Sequence, residues 1–88
     1  LLARTYVMTE QFDKAASAGN KAIQKGGLKR ADQLQVTIGQ AYMELHQYDK
    51  ATKAFEQARK DKRSKSSAEN WIRFSASQKK RWELYNKG

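Results

Sequence analysis

The sequence predicts an all-α protein made of antiparallel helical hairpins, and both its composition and its residue patterns point to this class. The 88 residues include five glycines and no proline, so nothing in the chain forbids long helices. Alanine, glutamine, lysine and leucine are frequent, and all four favour helices. No run alternates apolar and polar residues convincingly enough to predict a strand.

The chain also repeats its own pattern when it is shifted so that Phe12 falls on Tyr48. At that offset Phe12-Asp13-Lys14-Ala15 meets Tyr48-Asp49-Lys50-Ala51, and Ala3 meets Gly39, which in turn meets Ser75. The matching positions are mostly small or aromatic, the residues that decide how closely two helices approach. An internal repeat of this kind predicts stacked helical hairpins.

Five helices are expected, at about 1–9, 12–25, 32–45, 48–61 and 67–86. Gly26-Gly27 ends the second, because glycine adopts the left-handed C-terminal conformation without strain. Between the third and the fourth, His46-Gln47 leaves room only for a tight turn. The sequence Ser66-Ser67-Ala68-Glu69 predicts a capping box that begins the fifth.

The third and fourth helices each carry an apolar face at helical spacing. These faces consist of Leu34, Ile38, Tyr42 and Leu45, and of Tyr48, Ala51, Phe55 and Ala58. Gly39 is expected to meet Ala51 and Phe55 where the two helices cross, since a small residue lets the backbones approach closely.

These residues resemble the tetratricopeptide repeat family. Residues 32–65 resemble a full repeat, residues 1–29 a truncated one, and residues 67–86 the capping helix of such an array. The positions that carry the likeness are Ala3, Tyr6, Ala15, Gly39, Tyr42, Tyr48, Ala51, Phe55, Ala58 and Trp71. The chain departs from the family at Gln35, where Trp is common, and at Gly19, where a large aromatic is common. The resemblance implies one domain, 1–88, whose hairpins stack into a right-handed α-α superhelix.

The last predicted helix carries a stripe of large side chains, namely Trp71, Phe74, Gln78, Trp82 and Tyr85. One interpretation is a capping helix that covers the apolar end of the preceding hairpin. The other is an aromatic and basic helix that docks on a partner or a membrane surface. We favour the cap, because terminal repeats must cover an apolar face.

The resemblance implies a protein–protein interaction module, with an adaptor or scaffold role, that binds a peptide or helix in its concave groove. By register, the groove residues would be Arg4, Val7, Gln33, Val36, Gln40, Met43, Arg73 and Lys79. Relatives that dock the C-termini of heat-shock chaperones carry a Lys and Asn pair where Val36 and Gln40 stand here, so chaperone binding is not expected. The net charge of +9 favours an acidic partner, and the resemblance implies that the ligand is an acidic or extended peptide segment.

An alternative function is electrostatic binding of nucleic acid or an envelope surface through a basic ridge. The ridge consists of Arg59, Lys60, Lys62, Arg63 and Lys65 around a single acid, Asp61. Clustered charge is a weak signal without an accompanying nucleic-acid motif, and cations suit a helix C-terminus in any case. We therefore regard nucleic acid as the less favoured partner.

No enzyme activity, metal or cofactor is expected. His46 is the only histidine and there is no cysteine, so a histidine-based site lacks a second ligand of either type. The carboxylates are spread singly along the chain, and no general acid and base pair can be placed.

No apolar stretch approaches the length that spans a membrane. Because the first residue is Leu1 and no signal pattern is present, we interpret the chain as part of a longer protein. Asn70-Trp71 and the basic, aromatic last helix look like tetratricopeptide proteins of Gram-negative bacteria encoded beside energy-transducing envelope systems. That likeness would imply a cytoplasmic or periplasmic location.

Overall fold

A computed structural model describes the backbone of residues 2–87 and the side chains of residues 10–86. This part forms four α-helices, α1 (Leu2–Lys25), α2 (Ala31–Glu44), α3 (Tyr48–Arg59) and α4 (Lys65–Lys87). It contains no strand, so the predicted all-α class is confirmed. Each helix packs mainly against the next one in the chain, and the molecule measures 43 × 27 × 16 Å.

The predicted helices at 1–9 and 12–25 are one continuous helix, α1, so the prediction of five helices is wrong. Glu10 stands where His46 stands in the other repeat, but glutamate favours helices. Its carboxylate lies 3.2 Å from Lys14 Nζ, an i,i+4 pair across the predicted break. The hairpin expected within residues 1–29 is therefore not formed.

Two of the three connections between the helices contain residues in the left-handed conformation. Gly26 and Gly27, at the end of α1, both have φ of 78°, as expected of a glycine helix stop. His46 has φ of 60° and reverses the chain between α2 and α3. Histidine is among the few non-glycine residues that are enriched in this conformation.

The predicted capping box of the last helix is also wrong, because α4 begins at Lys65 and Ser66 lies inside it. The residue before α4, Ser64, is buried. Its hydroxyl donates to Asp32 Oδ2 at 2.5 Å, in the first turn of α2. The side chain next to the helix start therefore ties the α3–α4 loop to α2 and does not cap α4.

A small residue lies at each helix crossing. A Cβ built on Gly19 of α1 would lie 2.6 Å from Ile38 Cγ1, and one built on Gly39 of α2 would lie 2.6 Å from Phe55 Cζ. Ser75 of α4 is fully buried, and its Oγ lies 3.3 Å from the Thr52 hydroxyl of α3. Because none of the three has a bulky side chain, the helices approach closely.

The centre of the core lies between α2, α3 and α4. Met43, Tyr48, Ala51 and Phe55 form its buried cluster, and the Trp71 ring of α4 stacks on Phe55 with 5.6 Å between centroids. The core confirms the apolar face predicted for the helix that begins at Tyr48.

On α1 the buried residues differ from the repeat position Ala15 that the tetratricopeptide resemblance implies. Ala15 is exposed, whereas Ala16 and Gly19 are buried. The continuous helix presents these two residues to α2, where Gly19 meets Ile38. The side chains of Ala3 and Tyr6 lie outside the described residues, so their structural roles stay predictions.

Candidate functional site

The main apolar depression is a groove that we call the aromatic groove, with a volume of about 480 Å³. Three helices line it, α1 on one side, α2 at the base and α4 on the other side. Its lining residues are Phe12, Ala15, Thr37, Gln40, Ala41, Met43, Glu44, Trp71 and Phe74.

Helix geometry explains why these side chains converge. Thr37, Gln40, Ala41 and Glu44 recur at spacings of three and four, which places them on one face of α2. That face lies next to the core, because Met43 both lines the groove and belongs to the buried cluster. The base of the groove is therefore set by the packing of α2.

The wall formed by α4 is aromatic and held in place. Trp71 is anchored by its stacking on Phe55, and Phe74 meets Trp71 edge-on, with 5.8 Å between ring centroids. Phe74 is 48% exposed. An aromatic ring that is fixed on one side and open to solvent on the other is a favourable contact surface for a partner.

Polar groups of the groove are few. The Thr37 hydroxyl donates to the carbonyl of Gln33 at 3.2 Å, which leaves its oxygen as an acceptor. Gln40 brings an amide that both donates and accepts. Such groups can orient a ligand whose contacts are mainly apolar.

Only some of the predicted groove residues line this groove. Gln40 and Met43 do. Gln33 is exposed and does not line it, and Val36 packs against the core cluster. The side chains of Arg4 and Val7 lie outside the described residues.

The two basic residues predicted on α4 lie elsewhere. Arg73 is exposed and donates to Asn70 Oδ1 at 2.5 Å. Lys79 pairs with Asp49 of α3 at 2.8 Å, and this hydrogen-bonded carboxylate raises the pKa of the lysine. Lys79 follows buried Ser75 by one helical turn, so it points toward α3 and away from the aromatic groove.

Sequence reasoning missed Phe12 and Phe74 as groove residues. Phe74 belongs to the aromatic stripe that we interpreted as a cap, and the structure divides that stripe. Trp71 covers the core, while Phe74, Trp82 and Tyr85 remain exposed. The aromatic stripe has more large rings than the core can bury, and this excess could have identified Phe74 as an exposed contact residue.

The C-terminal part of α4 lies against the α2–α3 turn. The Trp82 ring stacks on His46, with 3.7 Å between centroids and an angle of 6° between planes. His46 Nδ1 lies 2.9 Å from the Tyr48 hydroxyl. These contacts give His46 a place in the packing of the turn.

One side chain of the basic ridge, Arg63, is held by hydrogen bonds within the protein. Arg63 binds both oxygens of Asp61, at 3.0 and 2.7 Å, and donates to the Lys29 carbonyl at 3.4 Å. The hydrogen-bonded guanidinium lowers the pKa of Asp61. The other basic side chains, Arg59, Lys60, Lys62 and Lys65, line a depression of about 470 Å³ beside the α3–α4 loop.

Asp32 is the buried acid of this region, with 5% of its surface exposed. It accepts hydrogen bonds from Arg30 at 3.0 and 2.8 Å and from the Ser64 hydroxyl, and Arg63 lies 3.8 Å away. The Arg30 guanidinium, together with Ser64, holds the pKa of this carboxyl well below its usual range. The ionised carboxylate of Asp32 therefore links the start of α2 to the loop that follows α3.

Two features are absent from the residues that the structure describes. No cluster of three His, Cys, Asp or Glu side chains among them could hold a metal ion. None of their helices combines the length and apolar character needed to cross a membrane. Comparison of the chain with known protein families, with curated proteins and with solved structures gave no match.

Proposed function

We propose that this chain is a protein–protein interaction module of the tetratricopeptide type, whose aromatic groove binds an apolar peptide or helix of another protein. The observation that carries the proposal is the half-exposed, anchored ring of Phe74 across the groove from Phe12. The proposal assigns an adaptor or scaffold role and no catalytic step to the chain.

Several features support a tetratricopeptide-like superhelix. Helices pack in chain order, and Gly39 meets Phe55 inside the α2–α3 hairpin. Ser75, which aligns with Gly39 in the internal repeat, is the small buried residue of α4. In such a stack α2 and α4 would be the first helices of successive repeats, and their shared side is the family's concave face.

The aromatic groove suits an apolar segment better than a highly charged one. Its aromatic side chains offer apolar contact area, and the base beneath them is packed by the buried Met43. A partner helix with apolar residues three and four positions apart could place them between Phe12 and Phe74.

A photo-crosslinking experiment identifies the partner and tests the site together. A photoreactive amino acid at Thr37, an exposed groove residue, should crosslink to the partner in cells. The same group at Lys62, on the basic ridge, is the matched control. Crosslinks to the same protein only from Lys62 would contradict the groove assignment.

Titration calorimetry with the identified partner then measures the groove's contribution. Phe74→Ala should weaken binding about tenfold, because an interface anchor costs about 1–2 kcal/mol when truncated. Leu84→Ala is the control, since Leu84 is an exposed apolar residue of α4 that does not line the groove. Equal losses in both variants would mean that the whole exposed surface of α4 binds.

The electrostatic alternative makes a different prediction. It rests on the depression lined by Arg59, Lys60, Lys62 and Lys65. Binding through phosphates should weaken steeply as salt rises, whereas groove binding through apolar contacts should change little. A steep salt dependence that disappears in Lys60→Gln with Lys62→Gln would favour the alternative.

A further inference from the structure

A second cleft lies between α1 and α3 and is floored by α2. It consists of two adjoining depressions of about 350 Å³ each, which share Asn20, Tyr42 and Lys50. We call it the lysine cleft. It shares no lining residue with the aromatic groove, because Tyr42 and Ile38 occupy a different face of α2 from Thr37 and Gln40.

The floor of the lysine cleft is ordered by contacts between its helices. The Tyr42 hydroxyl accepts a hydrogen bond from Asn20 Nδ2 at 2.8 Å, which joins α2 to α1. From α3, Lys50 Nζ lies 5.8 Å from the centre of the Tyr42 ring, within the range of a cation–π contact. Side chains from both walls therefore meet at Tyr42, where the two depressions adjoin.

Both walls of the cleft carry positive charge. Lys21 projects from α1, and Lys50 and Lys53 project from α3. All three are exposed, and none pairs with a carboxylate within the described part of the chain. The acids of the cleft are single ones, Asp13 in one depression and Glu56 in the other.

The remaining polar lining is rich in amides, with Asn20 and Gln24 on α1 and Gln57 on α3. Each amide offers both donors and an acceptor, which matches the alternating N–H and C=O groups of an extended peptide backbone. Lysines between the amides match carboxylate side chains. A phosphate backbone fits less well, because it has no N–H groups to donate to the amide oxygens of the cleft, whereas a peptide backbone does.

We propose that the lysine cleft binds an extended acidic peptide segment of a partner protein. Asp13 and Gln24 mark its length along α1, and the rise of about 1.5 Å per helical residue gives a span of roughly 16 Å. An extended chain covers that distance with about five residues. The site is separate from the aromatic groove and does not depend on the function proposed for it.

Fluorescence anisotropy with a labelled peptide of alternating Glu and Ser, about eight residues long, tests the proposal on the 88-residue chain. Lys21→Gln with Lys53→Gln removes one charge from each wall of the cleft and should weaken binding about tenfold. Lys62→Gln with Lys65→Gln removes the same charge from the basic ridge and should change the affinity less than about twofold. All four lysines are exposed, and unchanged melting curves confirm that both variants fold.

Three controls decide between this site and its alternatives. A Gln-Ser peptide should not bind, and Phe74→Ala should bind the acidic peptide normally, whether or not the aromatic groove functions as proposed. An oligothymidylate should bind more weakly than the acidic peptide. The proposal is overturned if the acidic peptide does not bind, or if the ridge variant loses as much affinity for it as the cleft variant. It is also overturned if the oligothymidylate binds more tightly than the acidic peptide and the cleft variant no longer binds the oligothymidylate.

Discussion

Replacing Gly39 with alanine should destabilise the protein, although alanine is the better helix former. Gly39 lies within α2, where alanine alone would add about 0.5–1 kcal/mol of stability. The new Cβ, however, would lie 2.6 Å from Phe55 Cζ and 2.7 Å from Phe55 Cδ1. Because Phe55 is fully buried, its ring cannot swing into solvent to make room.

The two effects oppose each other, and the clash should be the larger. Overpacking a close-packed core typically costs about 1–3 kcal/mol. After the gain in helix propensity, we expect a net loss of about 0.5–2 kcal/mol. At about 4–8 °C per kcal/mol for a domain of this size, the melting temperature should fall measurably.

Urea unfolding followed by circular dichroism gives the free energy of unfolding for Gly39→Ala, Phe55→Leu and the double variant. Leucine at position 55 removes the ring that the new Cβ meets. The double variant should therefore be more stable than the sum of the single effects predicts, by at least about 0.5 kcal/mol.

Gly27→Ala is the matched control. Gly27 has φ of 78°, and no atom lies within 4 Å of a Cβ built there. Its cost should come from backbone strain alone, about 1–2 kcal/mol, and should add independently to that of Phe55→Leu. If Gly39→Ala raises the stability, or shows no coupling to position 55, the close crossing of α2 and α3 is refuted.

Three further predictions concern the buried carboxylate Asp32, the last helix α4 and the surface ion pair between Lys79 and Asp49. Because hydrogen bonds from Arg30 and Ser64 lower the pKa of Asp32, its contribution to stability should be full above about pH 4, the ordinary value for aspartate, and should be lost as the pH falls further. Urea unfolding measures the free energy of unfolding across this range, and this free energy should fall less with acid for Asp32→Asn than for the parent. An equal fall in both proteins would contradict the role of this carboxylate. Removing residues 66–88 should expose Phe55, which Trp71 now covers, and the truncated chain should bind a hydrophobic dye or self-associate; a monomer that melts normally would show that α4 is dispensable. In a double-mutant cycle, Lys79→Ala and Asp49→Ala should show a coupling free energy that weakens with added salt. Salt screens this pair because both side chains are at least 45% exposed. A coupling that does not depend on salt would contradict a simple surface ion pair.

Much of the fold could be predicted from local pattern. The helices expected at 32–45 and 48–61 are found as Ala31–Glu44 and Tyr48–Arg59, because their apolar spacing and the short turn between them are local properties. The stop after α1 was predicted for the same reason, since Gly26 and Gly27 adopt φ of 78°.

The candidate site was predicted less well. Of the residues that the tetratricopeptide resemblance placed in a binding groove, Gln40 and Met43 line the aromatic groove, whereas Lys79 pairs with Asp49. The rotation of α4 about its own axis decides where Lys79 points, and that rotation is set by burial of Ser75 against α3. The internal repeat aligned Ser75 with Gly39, but the alignment did not show which neighbouring helix Lys79, one turn later, would face.

The sequence by itself determined the helical class, the α2–α3 hairpin and Gly39 as the small residue where its helices cross, because helix propensity and apolar spacing act over a few neighbouring residues. Tertiary structure alone decided the contacts between distant segments. Ser64 bonds to Asp32, Trp71 stacks on Phe55, and Phe74 joins Phe12 around one groove. The continuity of α1 depends on both, since the residues around Glu10 permit a helix but do not by themselves require one. Which of several permitted helix faces becomes buried depends on packing partners far away in the chain, and that choice created both the aromatic groove and the lysine cleft.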